Sequence, residues 1–205
     1  MITLYSGTPG AGKSLHLAER LYYRMKHKGV TIGNFPLNTK AIKKYKHHYL
    51  YVDNSRLSPD RLFKFSYEYA KYLHVDHLKE GTILLVIDEC QIMFNSRDWG
   101  QKNRGAWLEF FTQHRKLGYE IVLIAQFDRM IDRQIRSLIE YEYVHRKVGN
   151  FGKLGKVTSF LCGGLFVCVK VWYPMKEKVG AKFFRHNKKT SRIYDTYYMF
   201  SDCKA

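Results

Sequence analysis

Three glycines, a lysine and a serine fall in the spacing G-x-x-x-x-G-K-S at Gly7-Thr8-Pro9-Gly10-Ala11-Gly12-Lys13-Ser14. That pattern suits the holding of phosphates. Glycines let the backbone curl with its N–H groups pointing inward, and the lysine reaches β- and γ-phosphates. The adjacent hydroxyl is placed to ligate Mg²⁺. Gly7, Thr8, Pro9, Gly10, Ala11, Gly12, Lys13, Ser14 and Leu15 are therefore the expected nucleotide-binding residues, in the form known as Walker A. A second run, Leu84-Leu85-Val86-Ile87, ends in Asp88-Glu89 as a Walker B segment does. It would set Asp88 at the tip of a buried strand, holding Mg²⁺ directly or through water. Glu89 would orient or deprotonate the attacking water. A base for water favours hydrolysis, since a kinase delivers its phosphoryl group to another acceptor. Gln126 follows Ile121–Ala125 and would sense the γ-phosphate or position water. Arg115, closing Gln113-His114-Arg115, is read as a finger acting in trans on a neighbour's nucleotide, with Arg97 and Arg104 as the other arginines nearby.

These groups need elements to carry them. Ile2–Ser6 is a short apolar run stopped by glycine, as in a buried parallel strand. Behind the loop, Leu15, Ala18, Leu21, Tyr22 and Met25 recur at helical spacing, and Gly29 closes that helix. Val30–Gly33 reads as a second short strand. Ser58-Pro59-Asp60 has the form of a helix start, with Leu62, Phe65, Tyr69 and Leu73 on one face. Alternation of Phe63, Phe65, Tyr67 and Tyr69 fits a strand as well. Ile83–Ile87 and Ile121–Ala125 are continuous strand runs, and residues 107–116 form a helix ahead of Gly118. Strands alternating with helices imply a parallel α/β sheet. From residue 139 onward the texture changes to β: residues 140–148 and 166–173 read as strands around the glycine-rich turn 149–153. The expected organisation is a core at 1–138 and a β-rich extension at 139–205 packed on it.

The 205 residues carry 35 Lys+Arg against 18 Asp+Glu, a net charge of +17. Such an excess points to a polyanionic partner, nucleic acid or an anionic membrane surface. Basic clusters lie at Lys40, Lys43, Lys44, Lys46, His47 and His48, at Arg129, Arg133 and Arg136, and at Lys182, Arg185, Lys188, Lys189 and Arg192. Tyrosines and phenylalanines interleave with them, as on surfaces that track single strands. Cys90, Cys162, Cys168 and Cys203 show no metal-ligand spacing and read as reduced thiols of a cytoplasmic protein. Zinc has no support in that spacing. The N-terminus does not read as a signal peptide, and the longest apolar run, residues 160–169, is about half a membrane-spanning helix.

Taken in order, Ile2 to Ser14, Ile87-Asp88-Glu89, His114-Arg115-x-x-Gly118 leading into Ile121–Gln126, and a late Tyr194-Asp195-Thr196 resemble the zonula occludens toxin (Zot) family. The pieces span nearly the whole chain. The resemblance implies an ATP-driven motor of filamentous-phage assembly in the host bacterial cytoplasm, at the cytoplasmic face of the inner membrane. It also implies handling of single-stranded phage DNA during extrusion, and kinship with ATPases that work as homo-oligomeric rings, hexamers among them. Family members usually continue into a transmembrane helix and a periplasmic tail. The present chain is then either the cytoplasmic domain alone or a short relative that meets the membrane through a partner.

The expected fold is a three-layer P-loop sandwich with a mainly parallel sheet and a small basic C-terminal β appendage. The expected cofactors are ATP and Mg²⁺. Two other readings remain open: a nucleotide-gated adaptor for DNA or membrane, and a small-molecule kinase.

Overall fold

A run such as Ile83–Ile87, apolar at every position, must be covered on both faces, and a parallel sheet between helical layers does this. The computed structural model describes residues 1–27, 29–42, 45–97, 103–161 and 164–194. Its strands are β1 (Ile2–Ser6), β2 (Val30–Gly33), β3 (His48–Tyr51), β4 (Ile83–Ile87), β5 (Tyr119–Ile124), β6 (Tyr141–Lys147), β7 (Leu165–Trp172) and β8 (Glu177–Arg185). Its helices are α1 (Lys13–Arg24), α2 (Pro59–Tyr72), α3 (Arg104–Gln113), α4 (Arg133–Ser137), α5 (Gly152–Leu161) and α6 (Lys188–Ser191).

The strands form one eight-stranded sheet in the order β3-β2-β4-β5-β1-β6-β7-β8. Every pairing from β3 to β6 is parallel, and the β6–β7 and β7–β8 pairings are antiparallel. Alternate residues serve opposite faces, as the pleat requires. Ile83, Leu85 and Ile87 join Ile121, Leu123, Leu62, Phe110, Phe111 and Ile135 in one core. Leu84, Val86, Val122 and Ile124 join Leu17, Ala18, Leu21 and Met25 in the other. The three-layer sandwich is therefore present.

The strands expected beyond residue 139 are present, and they extend the core sheet instead of packing on it as an appendage. β1 is central, so its second edge needs a partner for its backbone groups. β6 supplies one, with Thr3 opposite Tyr141 and Ser6 opposite Val144. The segment from Pro59 is a helix, not a strand: Leu62 and Ser66 are buried on one side, and the Ser66 hydroxyl donates to the Leu117 carbonyl at 2.8 Å. α3 starts at Arg104 and ends at Gln113, a turn earlier than residues 107–116 suggested. The glycine-rich turn between β6 and β7 proves to be a short 3₁₀ turn followed by α5. At Gly155 a Cβ would overlap the Val148 carbonyl oxygen, so here glycine permits close approach to the preceding turn and does not break the helix.

No helix among the described residues is long and apolar enough to cross a membrane.

Candidate active site

Parallel pairing puts the C-terminal tips of β1, β4 and β5 at one end of the sheet, and the two motifs follow β1 and β4 there. Gly12 caps α1 in a left-handed conformation, φ 97°. A Cβ on Gly12 would lie 2.8 Å from the Phe166 ring, and one on Gly7 would lie 2.5 Å from the His145 carbonyl oxygen. Both positions are thus closed to other residues by neighbours on β6 and β7. The exposed crest of the loop is Thr8, Pro9 and Gly10, with Ala11 buried beneath and its N–H donating to the Thr8 carbonyl at 3.1 Å. Lys13 bends back over the loop, its Nζ donating to Gly7 O at 2.6 Å and to Thr8 O at 3.3 Å. Burial lowers its pKa, while the nearby Glu89 and Asp88 carboxylates oppose that. Ser14 and Leu15, half-buried, lie in the first turn of α1.

Asp88 is almost wholly buried at the tip of β4. The Asn34 side-chain amide grips its backbone twice, accepting from Asp88 N–H at 2.7 Å and donating to Asp88 O at 2.9 Å. One carboxylate oxygen accepts from the Glu89 N–H at 2.9 Å, and the other accepts from the Tyr194 hydroxyl. Burial raises the Asp88 pKa, and the hydrogen bond from Tyr194 acts against that rise. Glu89 then turns through the left-handed region, φ 46° and ψ 44°, and its carboxylate accepts from the Gln91 amide. That conformation costs a non-glycine residue roughly 1–2 kcal/mol. It directs the chain away from the β4 axis immediately after Asp88.

Gln126 is joined to the loop by its backbone, its carbonyl accepting from Gly7 N–H at 3.1 Å. With Ser6, Gly7, Thr8 and His145 it lines a pocket of about 460 Å³ beside the loop. Lys13, Ser14, Asp88, Glu89 and Gln126 are thus gathered at one end of the sheet. Arg115 is not among them. It lies before β5, at the opposite end, where its Nη2 meets Glu140 at 2.6 Å and its Nε meets Glu80 at 3.7 Å. In the single chain Arg115 forms an ion pair that fastens the N-terminal strand ends, since Glu140 also accepts from the Ile2 N–H at 3.1 Å, whereas a finger in trans would act on a neighbouring chain's nucleotide and not on its own. Arg97 lines a second pocket with Gln91 and Arg129, and Arg104 pairs with Asp132 at 2.8 Å. Of the basic clusters, Lys43 and Lys44 lie outside the described residues, as do Asp195 and Thr196.

Sequence reasoning missed Asn34 and the role of Tyr194. Asn34 follows β2, which lies beside β4, so strand adjacency could have found it. Tyr194 reaches Asp88 across a long separation in sequence, packing on Phe35 with ring centroids 4.7 Å apart. The hydroxyl of Ser14 and the carboxylate of Asp88 are hard oxygen donors, the set Mg²⁺ prefers. A buried carboxylate whose pKa burial raises is a fitting partner for a cation, which would restore the charge balance.

A family model, zonular occludens toxin (Zot), matches residues 1–197. The Gene 1 protein of Enterobacteria phage I2-2 is 27% identical over 176 residues, 84% of this chain and 48% of that protein. The Gene 1 protein of Salmonella phage IKe is 28% identical over the same length and the same shares. The chain therefore spans about half the length of these curated relatives. Among solved structures, the N-terminal domain of zonular occludens toxin from Neisseria meningitidis superposes with TM-score 0.58 at 18% identity, over 95% of this chain and 98% of that one. The genome packaging NTPase B204 from Sulfolobus turreted icosahedral virus 2, solved with ATP-gammaS, gives TM-score 0.55 at 15% identity, over 90% and 96%. At such identities these superpositions establish the fold, an α/β P-loop NTPase sandwich. The family model covers nearly the whole sequence, and the chain belongs to the zonular occludens toxin (Zot) family.

Proposed function

We propose that the chain is an ATP-hydrolysing motor domain for filamentous-phage assembly and export. The observation that carries this is the gathering of Lys13, at the start of α1 behind β1, with Asp88 and Glu89, which follow β4, at one end of the sheet, in a chain whose relatives are phage Gene 1 proteins. The loop from Gly7 to Leu15 would hold the phosphates through backbone N–H groups, and Lys13 would leave the Gly7 and Thr8 carbonyls to pair with the β- and γ-phosphates. Ser14 and Asp88 would hold Mg²⁺, which when bound supplies charge neutralisation on the phosphates. Glu89 would accept a proton from, or orient, the attacking water, and Gln126 would report on the γ-phosphate. The Asn34 clamp keeps Asp88 from moving while this happens.

The net charge of +17 supports single-stranded phage DNA as the partner handled. The same charge suits work at the cytoplasmic face of the host inner membrane, reached through the chain's own continuation or a membrane partner. On this reading a homo-oligomer, a hexameric ring included, is the expected working state. The test is phosphate release by purified protein with Mg²⁺ and ATP. Lys13→Ala and Glu89→Gln should each lower turnover at least about 100-fold. Single-stranded DNA or anionic liposomes should raise the turnover of the parent chain. Full turnover in Lys13→Ala would refute the assignment, and phosphate appearing on an added acceptor in place of water would transfer it to a kinase.

A further inference from the structure

Behind the phosphate loop, three donors of metal-ligand type converge from three elements. His16 lies on α1, one turn after Lys13, while His145 and Cys168 are direct cross-strand partners on β6 and β7. One ligand atom from each lies within 4.8 Å of the others. His145 and Cys168 are 1% and 2% exposed, and His16 is half-buried. Tyr5 stacks on His16 with centroids 4.9 Å apart and planes 5° apart, and Phe184 sits 5.5 Å away, so aromatic rings wall the cluster.

We propose that His16, His145 and Cys168 form a site for a zinc-class divalent cation, clasping the phosphate-loop helix to the β6–β7 extension of the sheet. Two imidazoles and a thiolate are the borderline-soft donor set that zinc selects, in contrast to the oxygens of Ser14 and Asp88. The hydrogen bonds prepare His145 for the role. Its Nδ1 faces the Ser6 carbonyl at 3.2 Å, so Nδ1 carries the proton and Nε2 presents a lone pair to the cluster. An outer carbonyl holding a histidine in this way is the usual support of a ligating ring. His16 Nδ1 lies 2.8 Å from His145 Nε2 and donates to it without the ion.

Binding balances as follows. The Cys168 thiol gives up its proton to solvent, His16 shifts its proton from Nδ1 to Nε2, and the cation takes the three freed lone pairs. Burial pushes the Cys168 thiol up to about 12, with Lys182 acting the other way, so the free protein carries a thiol and the cation must displace its proton. Burial likewise lowers His16 to about 3 and His145 to about 4, keeping both rings neutral. Tetrahedral zinc, with bonds of about 2.0–2.3 Å, sets its donors about 3.3–3.6 Å apart. The two nitrogens must therefore part by about 0.5 Å and the sulfur draw in, a rotamer-scale adjustment. A fourth coordination position remains for water.

The decisive probe is Co²⁺ added to the purified, reduced chain. One cobalt per chain with tetrahedral ligand-field bands and a thiolate-to-cobalt charge-transfer band is expected. Cys168→Ser should abolish the charge-transfer band. His145→Gln should weaken binding by more than the roughly 10–100-fold that losing an outer partner costs. Circular dichroism checks that each variant folds, and X-ray absorption on the zinc-loaded parent, showing two nitrogens and one sulfur, tests the site without any substitution. Cobalt bound only with octahedral, sulfur-free spectra would place it at Ser14 and Asp88 and overturn the proposal. So would a folded Cys168→Ser chain that keeps the parent spectrum.

Discussion

Removing the Asn34 side chain should loosen Asp88 and cost stability together. Asn34 is fully buried, and its amide satisfies both the N–H and the C=O of Asp88 at 2.7 and 2.9 Å. In Asn34→Ala those two backbone groups stay buried without partners, at about 1–3 kcal/mol each. A small cavity adds to this, and the lost bond to Asn54, 2.8 Å, adds little because that residue is partly solvated. A total near 3 kcal/mol follows if part of the cost is relieved by relaxation. For a chain of this size that corresponds to a melting temperature lower by about 6–12 °C. Turnover should suffer more than binding. A displacement of about 1 Å at a catalytic group can cost about 100-fold in rate, whereas the loop that grips phosphate is untouched. The assays are thermal unfolding, steady-state phosphate release, and binding of a fluorescent ATP analogue. Asn54→Ala, which spares the clamp, should change stability by less than about 1 kcal/mol. Should Asn34→Ala unfold within about 0.5 kcal/mol of the parent, or lose stability while keeping full turnover, the clamp does not position Asp88.

Glu89→Gly relieves a left-handed backbone, so it should leave stability unchanged or raise it by about 1 kcal/mol while removing turnover; a large destabilisation would mean the side chain holds the turn. Arg115→Ala removes a pair whose arginine is 56% exposed, so stability should fall by no more than about 1 kcal/mol and turnover should hold. A loss of turnover in assembled protein with normal folding would support Arg115 as a finger in trans. Burial lowers His47 and His114 to about 4 from 6.5. The unfolded chain then binds more protons between those values, so stability is full above about pH 6.5 and falls as the pH drops toward 4. Each histidine contributes a slope of up to about 1.4 kcal/mol per pH unit. His47→Gln should flatten the urea-midpoint profile across that window, and an unchanged profile would show that His47 is not the source.

The phosphate loop and the acid pair were legible because their signals are local: glycine spacing, or an apolar run ending in carboxylates. Burial on both faces made β1, β4 and β5 equally plain. Edge strands lack that signal. β3 is exposed or half-exposed along its length, and β8 buries only Phe184, so neither shows the apolar pattern that betrays a strand. The α5 helix hid because Gly149 and Gly152 read as part of a turn, and the fold then uses Gly155 for close contact within the helix that follows. His16, His145 and Cys168 sit far apart in sequence and are joined only by a helix packing on two strands, so no spacing rule could collect them. The ion pair of Arg115 was hidden for a related reason. Its partner Glu140 immediately precedes β6, whose pairing with β1 the sequence did not announce.

If Asp88 holds Mg²⁺ as proposed, Tyr194 makes that site answerable to the far end of the described chain. Its hydroxyl holds one Asp88 oxygen, and the same segment is tied to β2's exit by Asn38 N–H donating to Ile193 O at 2.9 Å. A cation that claims that oxygen competes with the tyrosine, and competition of this kind is reciprocal. If docking of residues 193–194 weakens the cation tenfold, the cation must weaken their docking tenfold, or about 1.4 kcal/mol. On that assignment, the docking of residues 193–194 would change with each filling and emptying of the nucleotide site.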